Sequence, residues 1–160
     1  MKIEIVEGYE YPEQIGMLFN EYTASLIEGD PEFRKYLEIQ NYDEELRHLE
    51  AKYGKPEGSL YLLLVDGQPS GCIAMRKIDD ENREMKRLYV RSSYRGLHLG
   101  EQLARKVIED AKAGGYRHIL LDTLPFLVAA QELYKKLGFY EIPSYNNSPM
   151  DTSIYMKLDL

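Results

Sequence analysis

The chain of 160 residues has one cysteine, Cys72. With no second thiol, an intrachain disulfide and any cysteine-based metal site are excluded. Its three histidines, His48, His98 and His118, show no ligand spacing, so no metal is expected. Positive charge is scarce too: 20 Lys and Arg stand against 27 Asp and Glu, a net charge of −7. That balance argues against nucleic acid as the main partner, because a polyphosphate wants a basic surface. No apolar run approaches the ~20 residues needed to span a bilayer, so no membrane partner is expected. The opening "MKIEIVEGYE" is too acidic and too poor in apolar residues for a signal peptide, and the expected location is the cytoplasm. Repeats, low-complexity stretches and linkers are missing as well, which leaves one domain over residues 1–160.

What is present is a soluble globular balance, 44% hydrophobic and 29% charged, in a chain long enough to bury a core. Cys72 lies in the apolar run "SGCIAM" and reads as a small core residue. Alternation in "MKIEIV" predicts a first strand. Ile15, Leu18, Phe19, Tyr22 and Leu26 recur at helical steps, predicting an amphipathic helix from about Glu13 to Glu28. A short helix is expected from "GDPEFRKYL", with Asp30 as N-cap and Pro31 at its first position. Another runs from Asp43 to Tyr53, stopped by Gly54 and Pro56. "SLYLLLVDGQPSGCIAMRKI" is two apolar runs around Asp66-Gly67, a hairpin whose connection is expected to exceed two residues. Glu84 to Val90 follows as the fourth strand of the chain. Leu99, Leu103, Ala104, Val107, Ile108 and Ala111 form the stripe of the next helix, which Gly114-Gly115 ends. "HILLDTL" reads as a buried parallel strand, Phe126 to Leu137 as a helix, and "FYEI" and "SIYMKLDL" as two last strands. The sum is a mixed α/β domain, a central sheet flanked by helices.

Between the fourth strand and its helix lies "YRGLHLG". Strand, glycine-bearing loop, helix is an order that presents backbone N–H groups to a phosphate. It is not a P-loop, since Gly100 is followed by Glu101 and Gln102, and Gly96 and Gly100 alone do not make a dinucleotide fingerprint. Lys86, Arg87, Arg91 and Arg95 form a local basic patch in sequence, which suits one small anionic ligand. Taken alone, the loop is as well explained by a turn and a helix start.

Its context resembles the GNAT superfamily of acyl-CoA-dependent N-acetyltransferases. The family writes Q/R-x-x-G-x-G/A at this point; here Arg95 opens the motif, Gly100 closes it, and His98 stands where glycine is usual. "AAQELYKKLGFYEI" is similar to the family's A-x-x-L-Y-x-x-x-G-F segment through Ala130, Leu133, Tyr134, Gly138 and Phe139. With "EMKRLYV", "LDTLP" and "EYTASL", the resemblance runs over essentially the whole chain.

The resemblance implies acetyl-CoA as co-substrate, bound in a V-shaped opening between the fourth and fifth strands, and a primary amine as acceptor. Arg95, Gly96, Leu97, His98, Leu99 and Gly100 would meet the diphosphate. Leu88, Tyr89 and Val90 would pair with the pantetheine amides through their backbone, and the Val90 N–H would face the thioester oxygen. Tyr134 is the implied general acid for the thiolate, and a packing role is the alternative. Leu127 stands where many members place an asparagine that contacts the cofactor, so that contact is expected to be missing.

An amine with a lysine-like pKa of about 10.4 must lose a proton before it attacks. Asp122, a carboxylate inside an apolar strand, and Glu84 are the candidate bases; a chain of waters is the alternative. For Asp122 a structural role, as a hydrogen-bonded acid capping a neighbouring loop or pairing with Lys86 or Arg87, weighs equally, and Glu84 reads otherwise as a solvated strand end. Glu21, Tyr22 and Tyr145 are positional candidates for the acceptor wall. The acceptor itself, a small molecule, an amino acid or a protein amine, is open. An acyl-CoA-binding regulatory module without turnover and an interaction domain are the rival readings, and an exposed C-terminal strand would allow a homodimer.

Overall fold

In a computed structural model, which describes residues 1–146 and 148–160, the chain forms a seven-stranded mixed sheet with helices on both faces. The strands are β1 (Ile3–Glu7), β2 (Ser59–Val65), β3 (Gln68–Lys77), β4 (Asn82–Val90), β5 (His118–Thr123), β6 (Tyr140–Ile142) and β7 (Ile154–Asp159). The helices are α1 (Pro12–Gly29), α2 (Phe33–Ile39), α3 (Tyr42–Arg47), α4 (Leu49–Tyr53), α5 (Leu99–Ala113) and α6 (Val128–Leu137). Spatial order is β1-β2-β3-β4-β5-β7-β6.

Alternation along β2 divides the core. Leu60 and Leu62 pack with Ile15, Leu18 and Phe19 of α1 and with Tyr53 of α4. Tyr61, Leu63 and Val65 face the other way, onto the buried stripe of α5, where Leu103, Ala104, Val107 and Ala111 are fully enclosed. Period two in the strand thus meets period 3.6 in two different helices. Cys72 is buried in the α1 layer, its thiol donating to the Arg87 carbonyl at 3.3 Å.

Four local expectations are corrected. The β2–β3 connection is only two residues: Val65 pairs with Gln68, and Asp66 (φ 51°) and Gly67 (φ 79°) both take the left-handed conformation that a tight hairpin demands. The helix expected over 43–53 is broken at His48, whose φ of −136° leaves the helical region and separates α3 from α4. Asp30 and Pro31 sit in a turn ahead of α2, where the Asp30 carboxylate accepts from the Glu32 N–H at 3.1 Å. The last strand, β7, lies between β5 and β6 and is no exposed edge; that edge is β6, three residues long.

The feature that shapes the site is in β4. Tyr89 pairs with Cys72 and Lys86 with Ala74, so Arg87 and Leu88 together oppose one residue of β3. This bulge puts Arg87 at φ 61°, a left-handed conformation that costs a non-glycine residue about 1 kcal/mol or more. The parallel partner β5 follows β4 only through Asn82, Arg83 and Glu84, and past that point the two strands part. The expected opening between the fourth and fifth strands is this divergence.

Candidate active site

Two pockets meet where β4 and β5 part. The larger, of about 790 Å³, is walled by the end of β4, the loop to α5, the first turn of α5 and the start of α6. It is lined by Leu88, Tyr89 and Val90, by Arg95, Gly96, His98, Leu99 and Gly100, and by Tyr134. Leu97 is not on that wall and points 41% of its surface to solvent.

The loop's conformation follows from its residues. Gly96 has φ 84°, and His98 takes φ 58° directly ahead of α5. The helix begins at Leu99, so His98 occupies the left-handed position that glycine tolerates best, with its imidazole exposed and 4.0 Å from Glu101. No side chain caps α5, and its first N–H groups are left for a ligand. The Glu101 carboxylate in that first turn is occupied by Lys136 at 2.6 Å and Arg105 at 3.0 Å, which hold its pKa below the usual carboxylate value. A Cβ on Gly100 would meet nothing closer than Leu133 Cδ2 at 3.7 Å, so packing alone does not require a glycine there.

The basic patch read from sequence is dispersed. Only Arg95 faces the large cleft, its Nε donating to the Val90 carbonyl at 3.1 Å. Arg91 is paired with Glu21 at 2.6 Å, and Lys86 and Arg87 line the second pocket.

That second pocket is small, about 40 Å³, and is walled by α1, α2, β4, β5 and residues just beyond β5. Tyr22, Leu88, Leu127 and Tyr134 line both pockets and mark their junction. Tyr134 is buried against Phe139, with ring centroids 5.7 Å apart, and burial pushes its phenol well above the ordinary tyrosine value. Tyr22, packed on Tyr89, is pushed up to about 12 by burial.

Asp122 lines the small pocket. Its Oδ2 accepts from the Tyr36 hydroxyl and from Asn146 Nδ2 at 2.9 Å, while Oδ1 has no hydrogen-bond partner among the described residues. It makes no ion pair with Lys86 or Arg87. Glu84 is not a solvated strand end: it is 3% exposed and lines neither pocket. Arg76 at 2.8 Å, Lys86 at 3.8 Å and the Tyr145 hydroxyl at 2.6 Å surround it. Despite burial, those neighbours keep its pKa below the ordinary value. Of the three wall candidates, Tyr22 lines both pockets, whereas Glu21 and Tyr145 line neither.

Residues that sequence reasoning did not single out complete the small pocket: Tyr36, Gln40, Thr123 and Ser153, with Lys86 and Arg87 as its cations. Arg87 is held by Glu45 (Nε–Oε2 2.9 Å), and the surrounding cations hold the Glu45 carboxyl at about 2. No spacing in the chain announces this set, because its members come from four separate elements. Among the described residues no group of three or more His, Cys, Asp or Glu is placed to hold a metal.

The sequence profile described as "Acetyltransferase (GNAT) family" matches residues 18–139. An uncharacterized N-acetyltransferase of Schizosaccharomyces pombe is 38% identical over 146 residues, covering 90% of this chain and 85% of its own. The N-acetylaspartate synthetase of Homo sapiens is 37% identical over 108 residues, which are 66% of this chain and 35% of that one. Among solved structures, the PaiA N-acetyltransferase of Thermoplasma acidophilum in complex with coenzyme A superposes with a TM-score of 0.75 at 17% identity, covering all of both chains. Sequence and fold agree, and the chain belongs to the GNAT family of acetyltransferases.

Proposed function

We propose that the protein transfers an acetyl group from acetyl-CoA directly to a small primary amine at the junction of the two pockets. The observation that carries this is the junction itself: a long cleft and a small polar pocket share Tyr22, Leu88, Leu127 and Tyr134. The diphosphate of acetyl-CoA would lie on the uncapped start of α5, from Arg95 to Gly100, where N–H groups and the helix dipole favour negative charge. The pantetheine arm would run along the unpaired edge of Leu88, Tyr89 and Val90 as an added strand.

In the transfer, the amine nitrogen attacks the thioester carbon and the C–S bond breaks. The Val90 N–H receives the charge that develops on the carbonyl oxygen. Asp122 Oδ1, without a hydrogen-bond partner among the described residues, takes the amine's proton. Glu84 is the weaker candidate, since its carboxylate is spent on hydrogen bonds from Arg76 and Tyr145. Tyr134 serves the leaving thiolate as a hydrogen-bond donor more than as an acid, because its phenol is pushed far above a thiol's ordinary value of about 8.5 and holds its proton. A covalent acetyl-cysteine has no support: Cys72 is fully buried, and burial raises its thiol far from the thiolate form.

The relatives named for N-acetylaspartate make aspartate a first acceptor to try. A single thiol and the absence, among the described residues, of any helix able to cross a membrane suit a cytoplasmic enzyme.

The test is calorimetric titration with acetyl-CoA followed by thiol release with a panel of amines, on the parent protein and on Tyr134→Phe. Binding, turnover with at least one amine, and a drop of about tenfold in kcat for Tyr134→Phe at unchanged acetyl-CoA affinity are expected. Binding without turnover of any amine would instead make this an acyl-CoA-binding module.

A further inference from the structure

The small pocket carries more positive charge than its protein neighbours balance. Lys86 and Arg87 of β4 line it, and Lys52 of α4 and Arg76 of β3 lie behind them, near the same carboxylates. Three carboxylates answer them: Glu45 of α3, Glu84 of β4 and, from across the opening, Asp122 of β5. Glu45 is shared by Lys52 at 2.6 Å and Arg87 at 2.9 Å. Glu84 is taken up by Arg76 at 2.8 Å and by the Tyr145 hydroxyl. Asp122 is hydrogen-bonded to Tyr36 and Asn146 and to no cation. Lys86 is the cation left over. Its nearest carboxylate oxygen is 3.8 Å away, beyond hydrogen-bond reach, although its side chain is only 9% exposed.

An ammonium has three N–H donors, and the protein accepts one of them, through Gln40 Oε1 at 2.7 Å. The same amide oxygen accepts from Arg87 Nη2 at 2.8 Å. Two cationic donors on one oxygen fix which way the Gln40 amide faces. Its nitrogen, a neutral donor, is then left without an acceptor among the described residues. Lys86 and Gln40 both line the pocket. A largely buried cation with spare donors beside a spare amide N–H is an arrangement that an anion completes.

We propose that Lys86 and Gln40 receive a carboxylate of the acceptor, so that the substrate is a small amine that also carries a carboxylate, an amino acid in the broad sense. The inference rests on the transferase reading of the junction and deepens it by naming the substrate class. The acceptor's two charged ends find opposite partners: its carboxylate on Lys86 of β4 and on Gln40 just after α2, its amine toward Asp122 of β5 and the shared residues Leu88 and Tyr134. The pocket's size agrees with a compact head group. About 40 Å³ is room for roughly three waters, the size of a carboxylate group, and the rest of the acceptor would lie at the junction with the cleft.

The test compares amines in pairs that differ only by a carboxylate: glycine against methylamine, alanine against ethylamine, aspartate against β-alanine. Thiol release with acetyl-CoA is measured for the parent protein and for Lys86→Met, which keeps the apolar stem and removes the charge. Thermal melting and acetyl-CoA titration accompany both. The parent is expected to favour the carboxylate-richer member of at least one pair by about 10- to 100-fold in kcat/KM, the size of a hydrogen bond to a charged group. Lys86→Met is expected to melt no lower, to bind acetyl-CoA as before and to lose that preference through a raised KM. Equal or better use of the carboxylate-free amines, or an undiminished preference in Lys86→Met, overturns the inference while leaving the transferase reading intact. Acetyl-CoA binding with no turnover of any amine overturns both.

Discussion

The two pockets that meet at Tyr134 are built in different ways. The large cleft is made by backbone: an unpaired strand edge, two residues with positive φ and the uncapped start of a 15-residue helix. One of its walls comes from the contiguous stretch Leu88 to Gly100, and the start of α6 supplies the other. The small pocket is made by side chains, among them Tyr36, Gln40, Lys86 and Asp122, gathered from α2 and just beyond it, β4 and β5. A backbone site reads a feature that every substrate of a family shares; in the proposed reading that is a diphosphate and two amides. A side-chain site reads what differs, and its charges are set by partners far away in the chain. The comparison places generality on one side of the junction and selectivity on the other.

That division can be broken from either side. Arg87→Met removes the guanidinium that Glu45, 42 residues away in sequence, depends on. Lys52 alone then faces a buried carboxylate, and the fold is expected to lose about 3 kcal/mol in chemical denaturation. Acid strikes the same pair. Glu45 is held at about 2 against an ordinary 4.5, so its contribution is complete above pH 4.5 and is lost as pH falls toward 2. At about 1.4 kcal/mol per unit the loss is on the order of 3 kcal/mol, and Arg87→Met should flatten it. Stability measured at intervals from pH 6 to 2 checks both statements.

The other side responds to a much smaller change. Gly100→Ala adds a Cβ that meets protein only at ordinary contact distance, and alanine favours a helix over glycine by up to about 1 kcal/mol. Its melting temperature is therefore expected to hold or rise. Acetyl-CoA affinity should fall no more than about twofold in calorimetry, since the family motif accepts alanine as well as glycine at this position. A drop in stability, or a loss of affinity of about tenfold or more, would mean that the helix start depends on glycine in a way neither the packing nor the motif requires.

The same contrast explains what the sequence disclosed. Periodicity revealed α1, α5 and the strands, because each of those faces is solvated on one side or wholly buried. "YRGLHLG" was legible since its loop and helix start are local, and family resemblance supplied the ligand. The left-handed His98 was not legible, since an imidazole there gives no sign of its φ. Nor was the tight turn at Asp66-Gly67, where the apolar runs on either side left the strand ends open. For Asp122 the strand and a hydrogen bond to a neighbouring loop were legible, but the alternative pairing with a cation is not made: Tyr36 and Asn146 hold it, at separations of 86 and 24 residues. Glu84 looked like a strand end because it opens "EMKRLYV"; the cations that bury it come from β3 and from its own strand. Lys86 and Gln40, 46 residues apart, have no pattern at all until the fold joins them.

The bulge in β4 also acts as a phase shift. In a regular strand neighbours alternate between faces, so of Lys86 and Arg87 only one would reach the small pocket. With an extra residue opposite β3, both do, and Leu88 joins them at the junction. Removing one residue from this strand would not merely shorten it. Every side chain after the deletion would turn over, the neighbouring strand could zip further along the straightened edge, and the groove would close as the pocket lost half of its charge. The extra residue is the wedge that keeps the sheet parted before any substrate arrives.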